Sequence, residues 1–249
     1  MYTRPATLRR VAFITPLLLA VAGWASLGLS APALAATETR GVPEFQAITV
    51  AADVEVTVQQ GSQQSLTLTA EDSVLALLEA VVEAGTDAPT LVLRYKRGAN
   101  VYTPYKVRAT VVVPRLSAVK VASSADVRLE AFNTPSLKLS VVGSGDIRAH
   151  GLTAEELQVS VAGSVAGSGG VHGSGSVRRL KVSVAGSGDV RLAELRADDV
   201  VVGIAGSGDV VVQAQATLDV SIVGSGDAQY SGAANVKQSV RGSGTIRQR

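Results

Sequence analysis

The sequence predicts an all-β protein: a parallel β-helix of 18–20-residue coils joined to an N-terminal β-rich cap. Three observations carry that prediction: a recurring phrase, its spacing, and the alternation that precedes it. The phrase is a short apolar strand ending in Gly-Ser-Gly-Asp, at residues 141–146, 184–189, 204–209 and 222–227, with degenerate copies at 121–126 and 240–245. The final positions lie 20, 43, 20, 18 and 18 residues apart. The gap of 43 is about two periods and holds two blurred copies, VAGSVAGSGG and HGSGSV. A fixed period of this length marks a repeat architecture, in which one unit buries its apolar face only by stacking on the next.

Each repeat is a strand followed by a corner. Five, seven and nine residues before the end of the phrase the side chains are mostly apolar, as in Val184, Val182 and Leu180 or Ile222, Val220 and Leu218. The position six before the end is small or polar: Lys120, Ser140, Ser183, Gly203, Ser221 and Ser239. Alternation of period two gives a strand with one buried face. Gly-Ser-Gly then turns the chain, because glycine tolerates positive φ at a tight corner. A second short strand follows, as in Asp189-Val190-Arg191-Leu192. Coils of this kind stack about 4.8 Å apart. They are too short for a four-stranded propeller blade of about 40 residues. The end coils are expected to be imperfect, with Ser117 and Gln238 at inward positions.

Ahead of the repeats, residues 1–35 read as an export signal. Arg4, Arg9 and Arg10 precede an apolar stretch, and Ala33-Leu34-Ala35 forms a small-x-small cleavage site. No cysteine follows it, which excludes a lipoprotein anchor, and cleavage leaves no membrane span. Residues 36–114 form the cap and 115–249 the repeats, the two read as one continuous domain. In the cap, residues 45–58 and 66–69 read as strands of a hairpin turned at 59–62. Glu71-Asp72-Ser73 opens one short helix, capped by Asp72 or Ser73 and running through Leu78, followed by strands near 79–83, 91–94 and 107–113. Residues 95–106 read as a polar loop.

Charge and composition remove several functions. The whole chain has a formal charge of +2, but the signal carries three basic and no acidic residues, leaving 20 against 21, a net charge of −1. That balance argues against nucleic acid and anionic lipid as partners. The absence of cysteine removes disulfides, thiolate metal sites and cysteine nucleophiles together.

The order of features is specific. Phe45-Gln-Ala-Ile-Thr-Val, then Val-Glu-Val-Thr-Val-Gln-Gln-Gly at 54–61, a strand ending in Val112-Val-Pro-Arg-Leu, and the serial Gly-Ser-Gly-Asp coils resemble the head GIN domain family, also labelled putative auto-transporter adhesin. The resemblance covers about residues 42–249. It implies a right-handed β-helix with a leading β-rich portion, in exported bacterial proteins whose role is not established. It supplies no catalytic motif to carry over. No translocator-sized segment follows the repeats in this sequence, so a complete auto-transporter is not expected.

Candidate sites are few. Asp126, Asp146, Asp189, Asp209 and Asp227 form a column in which stacked carboxylates repel, and Ca²⁺ bound at Asp146, Asp189, Asp209 and Asp227 would relieve that. The plainer reading is that each Asp accepts hydrogen bonds from nearby turn amides. Two blurred coils are expected to interrupt the column. Ser144, Ser187, Ser207, Ser225 and Ser243 are corner residues, without the helix and histidine that a nucleophile elbow needs. His150 and His172 fall in loops between coils. The loop at 95–106 gathers Tyr95, Arg97, Tyr102 and Tyr105, favoured contact residues suited to an anionic glycan or a protein. The expected function is an exported, non-catalytic, adhesin-like interaction module of the bacterial envelope, periplasmic, secreted or at the cell surface, with an envelope glycan or protein as partner. The alternatives are a carbohydrate-active β-helix enzyme, and a structural protein that self-assembles into homo-oligomers through its coil ends.

Overall fold

A computed structural model describes residues 35–85, 87–163 and 169–249. The export signal read over 1–35 lies outside the described residues, apart from Ala35. The strands are β1 (Ala36–Arg40), β2 (Ala47–Val50), β3 (Glu55–Gln60) and β4 (Ser65–Ala70), then helix α1 (Asp72–Leu75). There follow β5 (Leu78–Glu83), β6 (Thr90–Tyr95), β7 (Arg108–Val113), β8 (Ala118–Val121), β9 (Asp126–Glu130) and β10 (Asn133–Val141). The long strands of the repeats are β11 (Asp146–Ala162), β12 (Gly170–Gly186), β13 (Asp189–Gly206) and β14 (Val210–Gly224). β15 (Ala228–Ser231), β16 (Asn235–Gly242) and β17 (Ile246–Gln248) complete the chain.

The repeats form a β-solenoid of about six coils. Pairing from β8 and β9 to β17 is parallel throughout, and it sets side chains into columns. Leu139, Val159, Val182, Val202 and Val220 are in register, as are Val141, Val161, Val184, Ile204 and Ile222. All are at most 2 % exposed. Removing each such side chain from water contributes about 1.5–3 kcal/mol. Beyond the corner a second inward column runs Ile147, Val171, Val190, Val210 and Ala228. The alternation visible in sequence is therefore the core itself. In the central coils the chain is a single bent strand, β11 to β14, where the first and last coils have the two shorter strands expected, β9 and β10, and β15 and β16. The second bend shows as register shifts at Ala149/Leu152, His172/Ser174 and Leu192/Arg196.

Register also resolves the long gap. Gly170 stands beside Asp189, and Ile147 beside Val171, so one complete coil lies between the Asp146 and Asp189 corners. The VAGSVAGSGG segment joins β11 to β12, and its residues 164–168 are outside the described residues. HGSGSV is no corner: it is part of β12, with Gly175 packed against Leu152 at a positive φ of 131°. One coil, not two, interrupts the Asp column.

The cap joins the first coil without a break, because β2 pairs with β8 and β3 with β9, in parallel. β6 and β7 add the next rung on the same two sides. The expected β3–β4 hairpin does not form. β7 lies between them, parallel to β3 and antiparallel to β4, and β1 pairs outside β4. Both strands alternate correctly for a hairpin, but β3 belongs to a coil and takes coil neighbours on both edges. The helix is shorter than expected, four residues, with Glu71 at the N-cap and no side-chain cap bond. Val74 and Leu75 are buried under it, and the Arg40 guanidinium ties it down by donating to the carbonyls of Leu75 (2.7 Å) and Leu78. At the first repeat, Leu116 rather than Ser117 turns inward; β8 begins only at Ala118, so the strand alternation does not extend back to Ser117. The Ser117 hydroxyl instead donates to Gln46 O at 2.9 Å. Gln238 stands in register with the inward Val220, in a strand exposed almost throughout.

Glycine is required twice at each corner, for different reasons. Gly206 has φ of 136°, and Gly186, Gly224 and Gly242 also lie in the positive region. Gly208 does not; its constraint is contact, since a Cβ there would lie 2.2 Å from Gly188 O and 2.7 Å from a Val184 methyl. The carbonyl of Gly186 accepts from both Ser207 N (2.8 Å) and Gly208 N (3.1 Å), which locks one corner onto the previous one. Gly203, in mid-strand and with only Val182 O at 4.0 Å from its ideal Cβ, has room. Gly208→Ala is expected to lower stability by about 1–3 kcal/mol through overpacking, while Gly203→Ala is expected to change it little. Urea unfolding followed by circular dichroism of both variants checks the contrast.

Candidate functional site

Immediately after each corner the strands turn a column of polar side chains outward. Register places Thr57, Arg128, Arg148, His172 and Arg191 side by side on consecutive coils, with Thr110 beyond Thr57. Two residues earlier on each strand lies the Asp column: Asp126, Asp146, Gly170, Asp189, then Asp209 and Asp227.

The carboxylates bind the coils to one another. Asp146 Oδ1 accepts from Gly170 N (2.9 Å), Asp189 Oδ1 from Asp209 N (3.2 Å), and Asp209 Oδ1 from Asp227 N (3.0 Å). Asp227 Oδ1 accepts from both the amide and the hydroxyl of Thr245, each at 2.8 Å. The partner amide thus lies one coil further on, not in the residue's own turn as a local Asx turn would have it. The second oxygen takes the guanidinium two residues along the same strand: Asp146 to Arg148 at 2.8 Å and Asp189 to Arg191 at 3.0 Å. Arg148 also lies 3.6 Å from Asp126. Stacked carboxylates therefore have protein partners within the repeat. Among the described residues, no three His, Asp or Glu side chains converge as a metal-ligating group.

The 95–106 loop lies at the cap end of this face, between β6 and β7. Tyr95, Tyr102 and Tyr105 line a cleft of about 340 Å³ with Asp53, Glu55, Lys106 and Asp126. Arg97 is exposed and does not line it. Tyr102 is 95 % exposed and Tyr105 52 %. Burial, and then the nearby Asp53 charge, push the Tyr95 phenol above its usual range. The Lys106 ammonium first, with the Arg108 guanidinium at 3.2 Å, holds the Glu55 carboxyl below its usual value.

This cleft shares lining residues with a second hollow, and that one with a third. A hollow of about 130 Å³ shares Glu55 and Asp126 with it and adds Thr57, Arg108, Arg128 and Arg148. A third, of about 310 Å³, shares Arg148 and adds His150, His172, Ser174, Arg191 and Glu194. Together they make a groove along the coil axis, aromatic at one end and lined by guanidinium and carboxylate groups along the rest.

Both histidines are in strands, β11 and β12, not in loops between coils. His172 is half-buried beside Arg148 and Arg191, and burial lowers its imidazole below the ordinary 6.5, with Asp146 opposing. The corner serines Ser144, Ser187, Ser207, Ser225 and Ser243 are all exposed. Among the described residues none of them is hydrogen-bonded to a histidine. The arrangement offers aromatic faces and paired polar groups for holding a ligand, rather than an activated nucleophile. Sequence reasoning found the tyrosines and the aspartates but missed the Arg column. Its signal was present as Asp-x-Arg at 126–128, 146–148 and 189–191.

The family model described as "Putative auto-transporter adhesin, head GIN domain" matches residues 44–234. The chain belongs to that family. Several proteins of solved structure share its fold. A "putative adhesin" from Bacteroides fragilis has 24 % identity and a TM-score of 0.78, covering 86 % of this chain and 97 % of its own. A "putative lipid binding protein" from Parabacteroides distasonis has 23 % identity and a TM-score of 0.68, covering 87 % and 97 %. A "putative adhesin" from Parabacteroides merdae has 19 % identity and a TM-score of 0.65, covering 87 % and 96 %. No curated protein matches the chain. At these identities the likeness is one of fold. These relatives carry adhesin or lipid-binding names, not enzyme names. Among the described residues no helix is long and apolar enough to cross a membrane.

The Asp ladder has a pH signature. The Thr245 hydroxyl, then the Thr245 amide, hold the Asp227 carboxyl below its ordinary 3.8. A carboxylate favoured in the fold contributes stability above its unfolded value and loses it as pH falls through the folded one. Asp227→Ala is expected to melt below wild type at pH 7 and equally with it once pH has fallen well under 3.8. Thermal melts of both proteins across pH 2–7 check this.

Proposed function

We propose that this protein is an exported, adhesin-like binding module that holds an extended envelope glycan along the groove. The observation that carries the reading is the succession of hollows: three of them, sharing Glu55, Asp126 and Arg148 as lining residues, follow one another from the tyrosine loop along the coil axis. A linear polymer matches a groove of that shape, which crosses several equivalent coils. Sugars suit its chemistry, because their apolar faces stack on aromatic rings and their hydroxyls pair with guanidinium and carboxylate groups. The groove has nearly balanced charge, so sugar hydroxyls and charged sugar substituents both find partners along it.

The adhesin names of the family and of two of the solved relatives support the binding role. The signal-like residues 1–35 support export, to the periplasm or the cell surface. The groove is read as non-catalytic because Glu55 is tied to Lys106 and Arg108, Asp146 to Arg148 and a backbone amide, and Asp189 to Arg191, which leaves these carboxylates committed rather than poised as an acid and base about one bond.

Calorimetric titration with a panel of soluble polysaccharides tests the proposal. Binding to at least one member is expected, with no new reducing ends or unsaturated sugars on prolonged incubation. Tyr102→Ala and Tyr105→Ala are each expected to weaken that binding by roughly three- to tenfold, the worth of one aromatic contact. Both rings are exposed, so the melting temperature is expected to stay put. Uniform affinity across the tyrosine variants would place the ligand elsewhere, and product formation would make the protein an enzyme.

A further inference from the structure

We propose that the hollow between Arg148, His172 and Arg191 is an anion subsite of the groove, taking the carboxylate or sulfate of an acidic sugar unit and binding it more tightly as pH falls. The proposal rests on the glycan reading above and adds the class of sugar and the conditions.

Three observations converge on this hollow. The first is register: Arg148, His172 and Arg191 occupy one outward position on consecutive coils, about 4.8 Å apart. They line the same cavity of about 310 Å³. A carboxylate or sulfate seated over the middle coil would lie within reach of all three.

The second is the commitment of the aspartates. Asp146 and Asp189 each give one oxygen to a backbone amide of the next coil and the other to their own arginine. Each guanidinium has five N–H donors. Arg191 spends one on Asp189; Arg148 spends its own on Asp146 and Asp126. The aspartates thus orient the guanidinium groups and leave donors for a ligand.

The third is the break in the Asp column. Arg148 and Arg191 each follow an aspartate by two residues, but His172 follows Gly170. The position is tight, since a Cβ at Gly170 would lie 3.0 Å from Asp189 O and 3.5 Å from Asp146 Oδ1. The coil that carries His172 therefore brings no acid of its own to this position. The charged and titratable groups facing His172 are Asp146, Arg148 and His150 from β11, and Asp189, Arg191 and Glu194 from β13. With both ion pairs neutral overall, Glu194 leaves the hollow slightly negative while His172 is neutral. Protonating His172 cancels that charge. Burial keeps His172 neutral at pH 7, so the anion affinity develops in mildly acidic conditions. A bound anion, in turn, raises the imidazole pKa, and binding gains up to about tenfold for each unit of that rise.

The test titrates the protein at constant ionic strength with polygalacturonate, dextran sulfate and neutral dextran, at pH 7.5 and pH 5.5. Both acidic polymers are expected to bind several-fold better at pH 5.5 than at pH 7.5, and at pH 5.5 better than dextran. Preference for one over the other tells carboxylate from sulfate ester. His172→Gln is expected to abolish the pH gain, and Arg191→Gln to weaken acidic polymers at both values. Lys181→Gln, in the strand before the corner, is expected to change nothing. A pH gain that survives His172→Gln, or equal affinity for acidic and neutral chains at pH 5.5, overturns the subsite while leaving the glycan reading intact. If no polymer binds, the glycan reading fails, and the histidine resonances decide the subsite alone. An imidazole pKa that rises in sulfate relative to chloride, in a signal missing from His172→Gln, supports it; an unchanged value overturns it.

Discussion

The close approach of one corner to the next governs this molecule. Coils stack at strand spacing only if the chain can turn and still let the carbonyl of the preceding corner lie against it. The Gly186 carbonyl accepts from two amides of the following corner, and any side chain at Gly208 would collide with the backbone beneath it. Everything else follows from keeping that register: the inward columns of Leu, Val and Ile, and the outward columns of Asp and Arg. The first corner, Ser123-Ser124-Ala125, escapes the constraint. It stacks on the wider turn around Asp53, where Ser123 donates to Ala52 O and Ala125 stays buried.

The Asp column shows how a repeat turns an electrostatic liability into a joint. Equivalent carboxylates on neighbouring coils would repel. Here Asp146, Asp189, Asp209 and Asp227 each project one oxygen onto an amide of the coil ahead, and Asp146 and Asp189 clasp an arginine with the other. Exposed ion pairs contribute little to stability on their own. Their larger effect is positional, since they fix two guanidinium groups at the rim of the groove. The same carboxylates therefore serve the scaffold and prepare the surface.

A solenoid separates these roles cleanly. Its interior repeats with little change, and relatives at 19–24 % identity retain the fold. Its outward columns are free to differ from coil to coil, as Arg148, His172, Arg191 and Val211 do at one position. On such a scaffold the outward columns and insertions such as the 95–106 loop are the parts free to vary without disturbing the core.

The sequence by itself determined the β-helix, its period and its core, because alternation and corner glycines are local and act within a few residues. It also marked Tyr95, Tyr102 and Tyr105, which are neighbours in the chain before they are neighbours in space. Only the tertiary structure decided that β3 pairs with β7 and β9 rather than β4, that Leu116 displaces Ser117, and that HGSGSV is a strand. It alone brought Arg148, His172 and Arg191 together and joined them to the tyrosine cleft. Those contacts link residues about a full coil or more apart in the chain, and they depend on which coil lies beside which. Period and alternation show that coils stack; the register between coils, set by backbone hydrogen bonds and corner contact, decides which side chains meet.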